Sequence, residues 1–536
     1  MNDWLRLVFI AYLLLGSWLI ADYGISMDEP IQRKHGMVAF EYIRDLSGLF
    51  PDVPKQTGAH LPTYDHRDYG MLFQTLAYGL ELALGIDNSR DVFRLRHLMV
   101  FVLFWAACMV FYRILYRRFG SVALAMAGVL MLILSPRIFG DSMYNPKDIP
   151  LLCWFVFAFY THIRFADRRD RYGPVLHGLA CALAIGSRVV GVVWPLISLG
   201  YLSLQVLVRR DEKEYLFAFL KRTASYLIFL LLFTFLLWPV LWEDPVGSFL
   251  HSFNSMKRFR WYGEMLYMGE MVRSTDLPWH YIPVWIAVTT PLSFLVLMAL
   301  GIIGMVHRNL KGKWQWLKNR TAGIDLVAMG ALAIPLGAVI VLGSVLYNGW
   351  RHLYFVYPFL VYAGVWGMHL FWVWYRKKKQ LRSVRLLLAG LLLLLAVDLV
   401  HILYIMVRYH PHQSVYFNAL AGDVERNFER DYYGVSYRQG LMRLLENYPE
   451  RELRIYSRDF IGKINTMNFP KIEAQRLVFV DRIEEAEFFV TLFNFRSGQE
   501  YREFIRGEFP FDQPVEFSIR VKGYRVFTVQ RIEAGK

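Results

Sequence analysis

Three short polar clusters lie at the ends of apolar runs, and each holds side chains able to move a proton or bind an anion. The first is Asp28-Glu29-Pro30, a few residues past the run 5–23. A paired carboxylate beside a membrane suits a general base acting on a hydroxyl. The same stretch, Ser26-Met27-Asp28-Glu29, equally fits a capping box that opens a surface helix. The second cluster is Arg137, Asp141 and Asn145-Pro146-Lys147-Asp148-Ile149-Pro150. Asn-Pro makes a turn, and Asp148 with Pro150 suits the start of a helix. On a functional reading Asp148 is a second acidic group, and Lys147 and Asn145 are donors to an anion. The third is Tyr347-Asn348-Gly349-Trp350-Arg351-His352. Arg351 can grip a phosphate as a rigid fork, or it can snorkel to lipid headgroups.

Other candidates are weaker. His410-Pro411-His412 brings two imidazoles close together, but no third metal ligand accompanies them. His60, His66 and Asp68 fall in the long segment 24–97, where they would line an acceptor site. The segment 243–283 is aromatic and basic (Lys257, Arg258, Arg260, Trp261, Tyr262), which fits either a cover over a cleft or an interfacial aromatic belt. Cys108, Cys153 and Cys181 all sit inside apolar runs, so neither a disulfide framework nor a CxxC metal site is indicated.

The elements that must position these residues are membrane helices. Of 536 residues, 55% are hydrophobic and only 20% charged. The apolar residues gather in runs of roughly 18–22, the length of helix that crosses about 30 Å of hydrocarbon. This excludes a disordered chain, a collagen, a simple cytosolic enzyme and a single-pass anchor. Eleven spans are predicted, near 5–23, 98–115, 121–135, 149–163, 174–189, 190–208, 225–241, 284–306, 324–346, 353–374 and 386–407. The first has no small-residue cleavage site after it and reads as a retained helix, not a signal peptide.

The net charge of +15 sits mostly in alternate short loops, so it reads as topology-setting charge and not as a nucleic-acid surface. Those loops carry Arg113/Arg117/Arg118, Arg164/Arg168/Arg169/Arg171, Arg209/Arg210/Lys213/Lys221/Arg222, Arg308/Lys311/Lys313/Lys318/Arg320 and Arg376/Lys377/Lys378/Lys379/Arg382/Arg385. They are expected to be cytoplasmic, with the N-terminus inside and the C-terminus outside. All three polar clusters then share the outer side.

Two outer regions are large. Residues 24–97 include a mixed helix at 31–48, suited to the membrane surface, and a short apolar stretch at 71–86 that holds Glu81 and reads as interfacial or re-entrant. Residues 409–536 show a helix pattern at 436–447 and short strands near 453–457, 476–480, 486–492, 514–520 and 523–530. That pattern predicts a small α/β domain following a membrane domain of residues 1–408.

Taken together, Asp-Glu after the first helix, the large first outer loop and an acidic motif before the fourth helix resemble GT-C-type membrane glycosyltransferases. The nearest kin look like the protein O-mannosyltransferase group (glycosyltransferase family 39) and the lipid A aminoarabinose transferases. In bacterial members an Asn-Pro-Lys-Asp motif and a late Arg-His are similar to Asn145–Asp148 and Arg351-His352. The resemblance covers about residues 1–408. It implies a polytopic α-helical GT-C fold in a bacterial inner membrane, acting on the periplasmic or extracellular side, where the loop charge also places the α/β domain. It implies transfer of a sugar from a polyprenyl-phosphate donor to an acceptor hydroxyl, usually with inversion. Asp28 would be the base, Glu29 would orient it, and Asp148 would be the second acid. Arg351, His352, Lys147, Asn145 and Arg137 would neutralise the donor phosphate.

The chain departs from that pattern at Asp141, where a His or a neutral residue is expected, so either Asp141 or Asp148 can be the second acid. The C-terminal region does not resemble the carbohydrate-binding modules of the eukaryotic mannosyltransferases. No cofactor is certain, and a divalent metal is used by some GT-C enzymes and not by others. The closest alternative is an oligosaccharide ligase or oligosaccharyltransferase, whose donor is a glycan on pyrophosphate. A lipid or glycan transporter would instead need polar groups at mid-depth and two related halves.

Overall fold

The computed structural model describes residues 3–167, 169–209, 211–257, 261–311 and 318–533. Arg168, Arg210, Arg258, Arg260 and Lys313, which figure in the basic loops above, lie outside the described residues.

The predicted spans fall largely on helix, one of them divided between two helices. The chain opens with α1 (Asp3–Leu19), α2 (Glu29–Ser47), α3 (Leu72–Ala83), α4 (Ser89–Phe119), α5 (Val122–Ile133) and α6 (Pro136–Asp141). It continues through α7 (Asp148–Phe165), α8 (Gly173–Ser187), α9 (Val193–Val208), α10 (Lys213–Leu237) and α11 (Pro245–Lys257). After a hairpin, β1 (Glu264–Tyr267) and β2 (Glu270–Arg273), come α12 (Tyr281–Thr289), α13 (Leu292–Lys311), α14 (Arg320–Val341), α15 (Tyr357–Lys378) and α16 (Arg382–Arg408). Eight of the described helices are long and apolar enough to cross a membrane, which makes this an integral membrane protein. α5 and α8 are shorter apolar helices of 12 and 15 residues.

Local chemistry explains where the boundaries fall. The apolar stretch 174–208 divides at Arg188, which adopts an extended conformation between α8 and a short 3-10 turn leading into α9. The predicted span 284–306 is broken by Pro291: Thr290 before it is extended, as the steric demand of proline requires, and the chain restarts as α13. The stretch 71–86 forms α3, only about 18 Å long at 1.5 Å per residue. It lies on α2, and its Glu81 pairs with Arg33 (2.8 Å) and with the buried Arg96. α13 and α15 cross at Gly301, where a Cβ would come within 1.7 Å of the Ala363 carbonyl. At the opposite end of the bundle from Asp28, Asp325 of α14 accepts a two-pronged contact from Arg118 (2.6 and 2.7 Å) and another from Arg308 (2.8 Å), tying α4, α13 and α14 together.

Beyond α16 the chain runs back across the bundle. This stretch includes α17 (Val424–Asn427), and Phe417, Phe428 and Tyr433 join the membrane core. A second core begins at α18 (Ser436–Asn447). It contains β3 (Leu453–Ser457), α19 (Ile461–Asn465), α20 (Lys471–Arg476), β4 (Leu477–Phe479), β5 (Phe488–Thr491), α21 (Gly498–Arg506), β6 (Val515–Val521) and β7 (Tyr524–Arg531). The sheet order is β4-β3-β5-β7-β6, with the first three strands parallel and the last two antiparallel to their neighbours. The hairpin β1–β2 and helix α21 were not expected from the sequence. α21 is nine residues long and strongly amphipathic, too short to stand out from its charged surroundings.

The C-terminal half clamps the segment leading into α2. Asn465 brackets Ile25, donating to its carbonyl (2.9 Å) and accepting from its N–H (3.1 Å), and Met27 N–H donates to the Tyr433 carbonyl at 3.0 Å. Gly24 permits this approach, since a Cβ there would lie 2.4 Å from the Val435 carbonyl oxygen.

Candidate active site

α2 starts at Glu29, and the residue before it, Asp28, makes no capping hydrogen bond with its side chain. Only half of the capping box is built. Glu29 accepts from the Ser26 N–H (2.6 Å) and pairs with His97 (2.9 Å), fully buried behind the site. The Asp28 side chain is therefore left free of the helix cap. Its Oδ2 lies 3.1 Å from Arg351 Nη1, and its side chain is 15% exposed.

The turn before α7 is organised by Asn145. Its Oδ1 accepts from the N–H groups of Lys147 (3.1 Å) and Asp148 (2.9 Å), while Nδ2 donates to Asp148 Oδ2 (3.1 Å) and to the Tyr433 hydroxyl (2.7 Å). Asn145 thus positions Lys147 and Asp148, with its own donors already engaged. Asp148 is buried and surrounded by donors. Arg188 reaches Oδ1 at 2.7 Å, and Oδ2 takes the Tyr433 hydroxyl at 2.7 Å and Arg351 at 3.4 Å. Arg351 is boxed by aromatic faces, with Tyr347, Tyr432 and Tyr433 centroids at 5.0, 4.9 and 5.3 Å. Its backbone follows a tight turn in which Asn348 and Gly349 both have positive φ (57° and 75°). Glu429, buried, takes the Asn348 amide at 3.1 Å, and burial pushes its carboxyl up to about 8.

Beside this cluster lies a cavity of about 170 Å³. Lys147 and Arg188 give it a cationic end beside the His352 ring, whose imidazole burial keeps neutral, while Val189, Val190, Val339, Leu346, Leu353 and Phe355 make most of the rest apolar. Lys147 Nζ sits 4.7 Å above the Tyr69 ring. Burial pulls its ammonium down to about 8; Asp28 opposes that shift, and Arg188 and Arg351 reinforce it. A negative headgroup on a hydrocarbon tail matches such a lining: the cations are held in a poorly solvated site, where they count for more than in water.

The structure brings together Asp28, Asp148, Lys147, Arg351 and His352, with Asn145 shaping the turn. It separates the others. Asp141 is buried behind Tyr144, whose hydroxyl it accepts, and burial raises its carboxyl to about 6; of the two candidate acids, only Asp148 touches the arginines. Arg137 packs on Phe417 and Trp285 and donates to the Tyr416 carbonyl. His60 is exposed and lies against the Tyr42 ring. His66, also exposed, stacks among His35, Tyr64 and Tyr69. Asp68 does reach the cavity wall and pairs with His251 at 3.1 Å. His410 and His412 have separate partners, Asp22 and Gln439. Among the described residues no group of three or more His, Cys, Asp or Glu side chains is placed to hold a metal ion.

Sequence reasoning missed Arg188, although it is the only Lys, Arg, Asp or Glu in the stretch 174–208, and a lone charge in an apolar run marks a functional candidate. It also missed Tyr432 and Tyr433. They stand in an irregular segment whose return to the bundle no local pattern announces.

No family model matches the sequence, and no curated protein matches it either. Solved structures do. ArnT from Cupriavidus metallidurans, solved bound to undecaprenyl phosphate, aligns over 99% of this chain and 98% of its own, with a TM-score of 0.50 at 14% identity. The archaeal oligosaccharyltransferase AglB from Archaeoglobus fulgidus, solved with an inhibitory peptide and a dolichol-phosphate, aligns over 91% of this chain with a TM-score of 0.48 at 13% identity. The chain spans 66% of that enzyme's length. The likeness to ArnT shows the fold: GT-C helices followed by a C-terminal α/β unit.

Proposed function

We propose that this protein transfers a sugar from a polyprenyl-phosphate donor to an acceptor hydroxyl, and that Asp28 is the base. One observation carries the reading. Two carboxylates and three cationic side chains from four separate stretches of the chain converge beside a cavity whose other walls are mostly apolar.

In the reaction the acceptor oxygen attacks the anomeric carbon while the bond from that carbon to the phosphate oxygen breaks. The electron pair leaves with the lipid phosphate, and the hydroxyl proton passes to Asp28 Oδ. Opposed entry and departure invert the anomeric centre. Arg351, Lys147 and Arg188 stabilise the leaving phosphate by charge, and the Tyr347–Tyr432–Tyr433 box keeps the Arg351 fork from swinging away. Asp148 holds Arg188 and Arg351 in place and keeps that concentration of positive charge folded. Undecaprenyl phosphate, bound by ArnT, has the chemistry of the leaving lipid. The site would face the periplasm, since the basic loops lie at the other end of the helices.

The test is a purified-protein assay with a panel of polyprenyl-phosphate sugars, following release of free polyprenyl phosphate. Release that depends on an added acceptor supports the reading. Binding of the lipid without turnover across the panel counts against it.

A further inference from the structure

A second cleft opens on the same end of the molecule, where the last membrane helix meets the α/β unit. We propose that it holds the phosphate headgroup of an anionic membrane lipid and so fixes the α/β unit against the bilayer surface. The cleft is about 570 Å³, and its walls include Arg408, Gln439, Arg443, Glu446 and Arg520.

Three observations converge. First, the charge is unbalanced: three guanidiniums face one carboxylate, Glu446. Among the described residues no ion pair engages Arg408 or Arg443. Each lies over an aromatic ring instead, Tyr409 at 5.8 Å and Phe517 at 4.7 Å, which orients the guanidinium without neutralising it. Arg520 is steadied by the Gly523 carbonyl at 2.7 Å and stands 3.9 Å from Glu425. Second, a neutral donor is available. Gln439 turns its carbonyl oxygen to His412 Nε2, which leaves its amide hydrogens to the cleft. Third, the position is that of a headgroup. Arg408 ends α16, a span almost wholly exposed along its length, with Val407 and Tyr404 outward on the same turn. A basic residue at the exposed end of a lipid-facing helix sits at headgroup depth.

The cleft is separate from the cavity beside Asp28, and the two share no lining residue. They are linked mechanically through Asp22 at the end of the first span. Its carboxylate meets His410 at 2.9 Å, and its carbonyl accepts from Arg438 at 2.9 Å. A lipid seated here would hold the α/β unit, and with it Tyr432 and Tyr433, on the membrane.

The phosphate could belong to a lipid headgroup or be free in solution, and the two sources are separable. Full-length protein is delipidated in detergent and titrated with phosphatidylglycerol, phosphatidylcholine or inorganic phosphate, and retained lipid is counted by native mass spectrometry. Wild type should retain phosphatidylglycerol over phosphatidylcholine, and Arg408→Gln/Arg443→Gln should weaken that retention by about 30-fold, the effect of two basic residues at a membrane surface. Gln439→Glu keeps every arginine but adds a carboxylate, and should weaken it as well. Arg482→Gln, on the exposed surface of the α/β unit, should leave it unchanged. Equal retention by wild type and both cleft variants would overturn the proposal. So would displacement of the lipid by inorganic phosphate at equal concentration, since the cleft would then be a site for solvent anions.

Discussion

Arg351 Nη1 stands 3.1 Å from Asp28 Oδ2 and 3.4 Å from Asp148 Oδ2, joining residues 323 and 203 positions apart in the chain. One guanidinium nitrogen thus spans the two acids of the site and donates to the Tyr433 hydroxyl at 3.2 Å, while Nη2 donates to the Tyr432 hydroxyl at 3.4 Å. A lysine ammonium is a point charge and cannot keep these directions. Arg351→Lys should lower turnover by about 10²-fold or more, the usual cost of losing a donor aimed at developing negative charge. Steady-state turnover at saturating donor checks this.

Arg188 meets Asp148 at 2.7 Å with both side chains largely buried. Breaking a buried pair from one side costs about 3–5 kcal/mol, because the other charge stays behind. Arg188→Gln should therefore unfold at markedly lower temperature, and Arg188→Gln/Asp148→Asn should recover much of that loss while staying inactive. Thermal unfolding in one detergent, read alongside turnover, separates the two effects.

Burial holds the Lys147 ammonium down to about 8. Above that pH the cationic end of the cavity carries one charge less, so donor KM should rise as pH passes 8 while turnover at saturation changes less. Lys147→Arg stays charged throughout and should keep donor KM level between pH 7 and 9. Donor titrations across that range are the measurement.

Glu429 has its carboxyl raised by burial from its ordinary 4.5 to about 8. The folded form holds the proton more tightly, so this contribution to stability is complete below pH 4.5 and is lost as pH rises to about 8. The wild-type unfolding midpoint should fall across that window. Glu429→Gln, an isostere of the protonated acid that can still accept from Asn348, should flatten the dependence.

Much of this was legible in the sequence because membrane helices announce themselves by length and hydropathy. α18 was expected at its observed limits, and the five strands of the sheet were placed within a residue or two by their alternation. Asp28, Lys147, Asp148 and Arg351 were found because polar residues stand out beside apolar runs. Arg188 was hidden for the opposite reason: it lay near the end of the predicted span 174–189, inside an apolar run, and only the extended backbone there shows that the helix ends before it. Arg137 and Asp141 belong to the same loop as Lys147, but α6 turns them toward Phe417 and Tyr144, and that rotation is set by tertiary packing. Tyr432 and Tyr433 reach Arg351 only through the return of the chain after α16, a long-range relationship without a local signature.

The central claim is that Asp28 takes the acceptor proton, and the most direct test is turnover of Asp28→Asn at saturating donor. The side chain of Asp28 makes no capping hydrogen bond, and Arg351 keeps Asp148, Tyr432 and Tyr433, so the variant should fold with an unfolding midpoint close to wild type. An amide cannot accept the proton, and turnover should fall by about 10²–10⁴-fold, the span of general-base assistance. A folded Asp28→Asn that turns over at the wild-type rate would contradict the account; if Asp148→Asn were then inactive, the role of base would pass to Asp148.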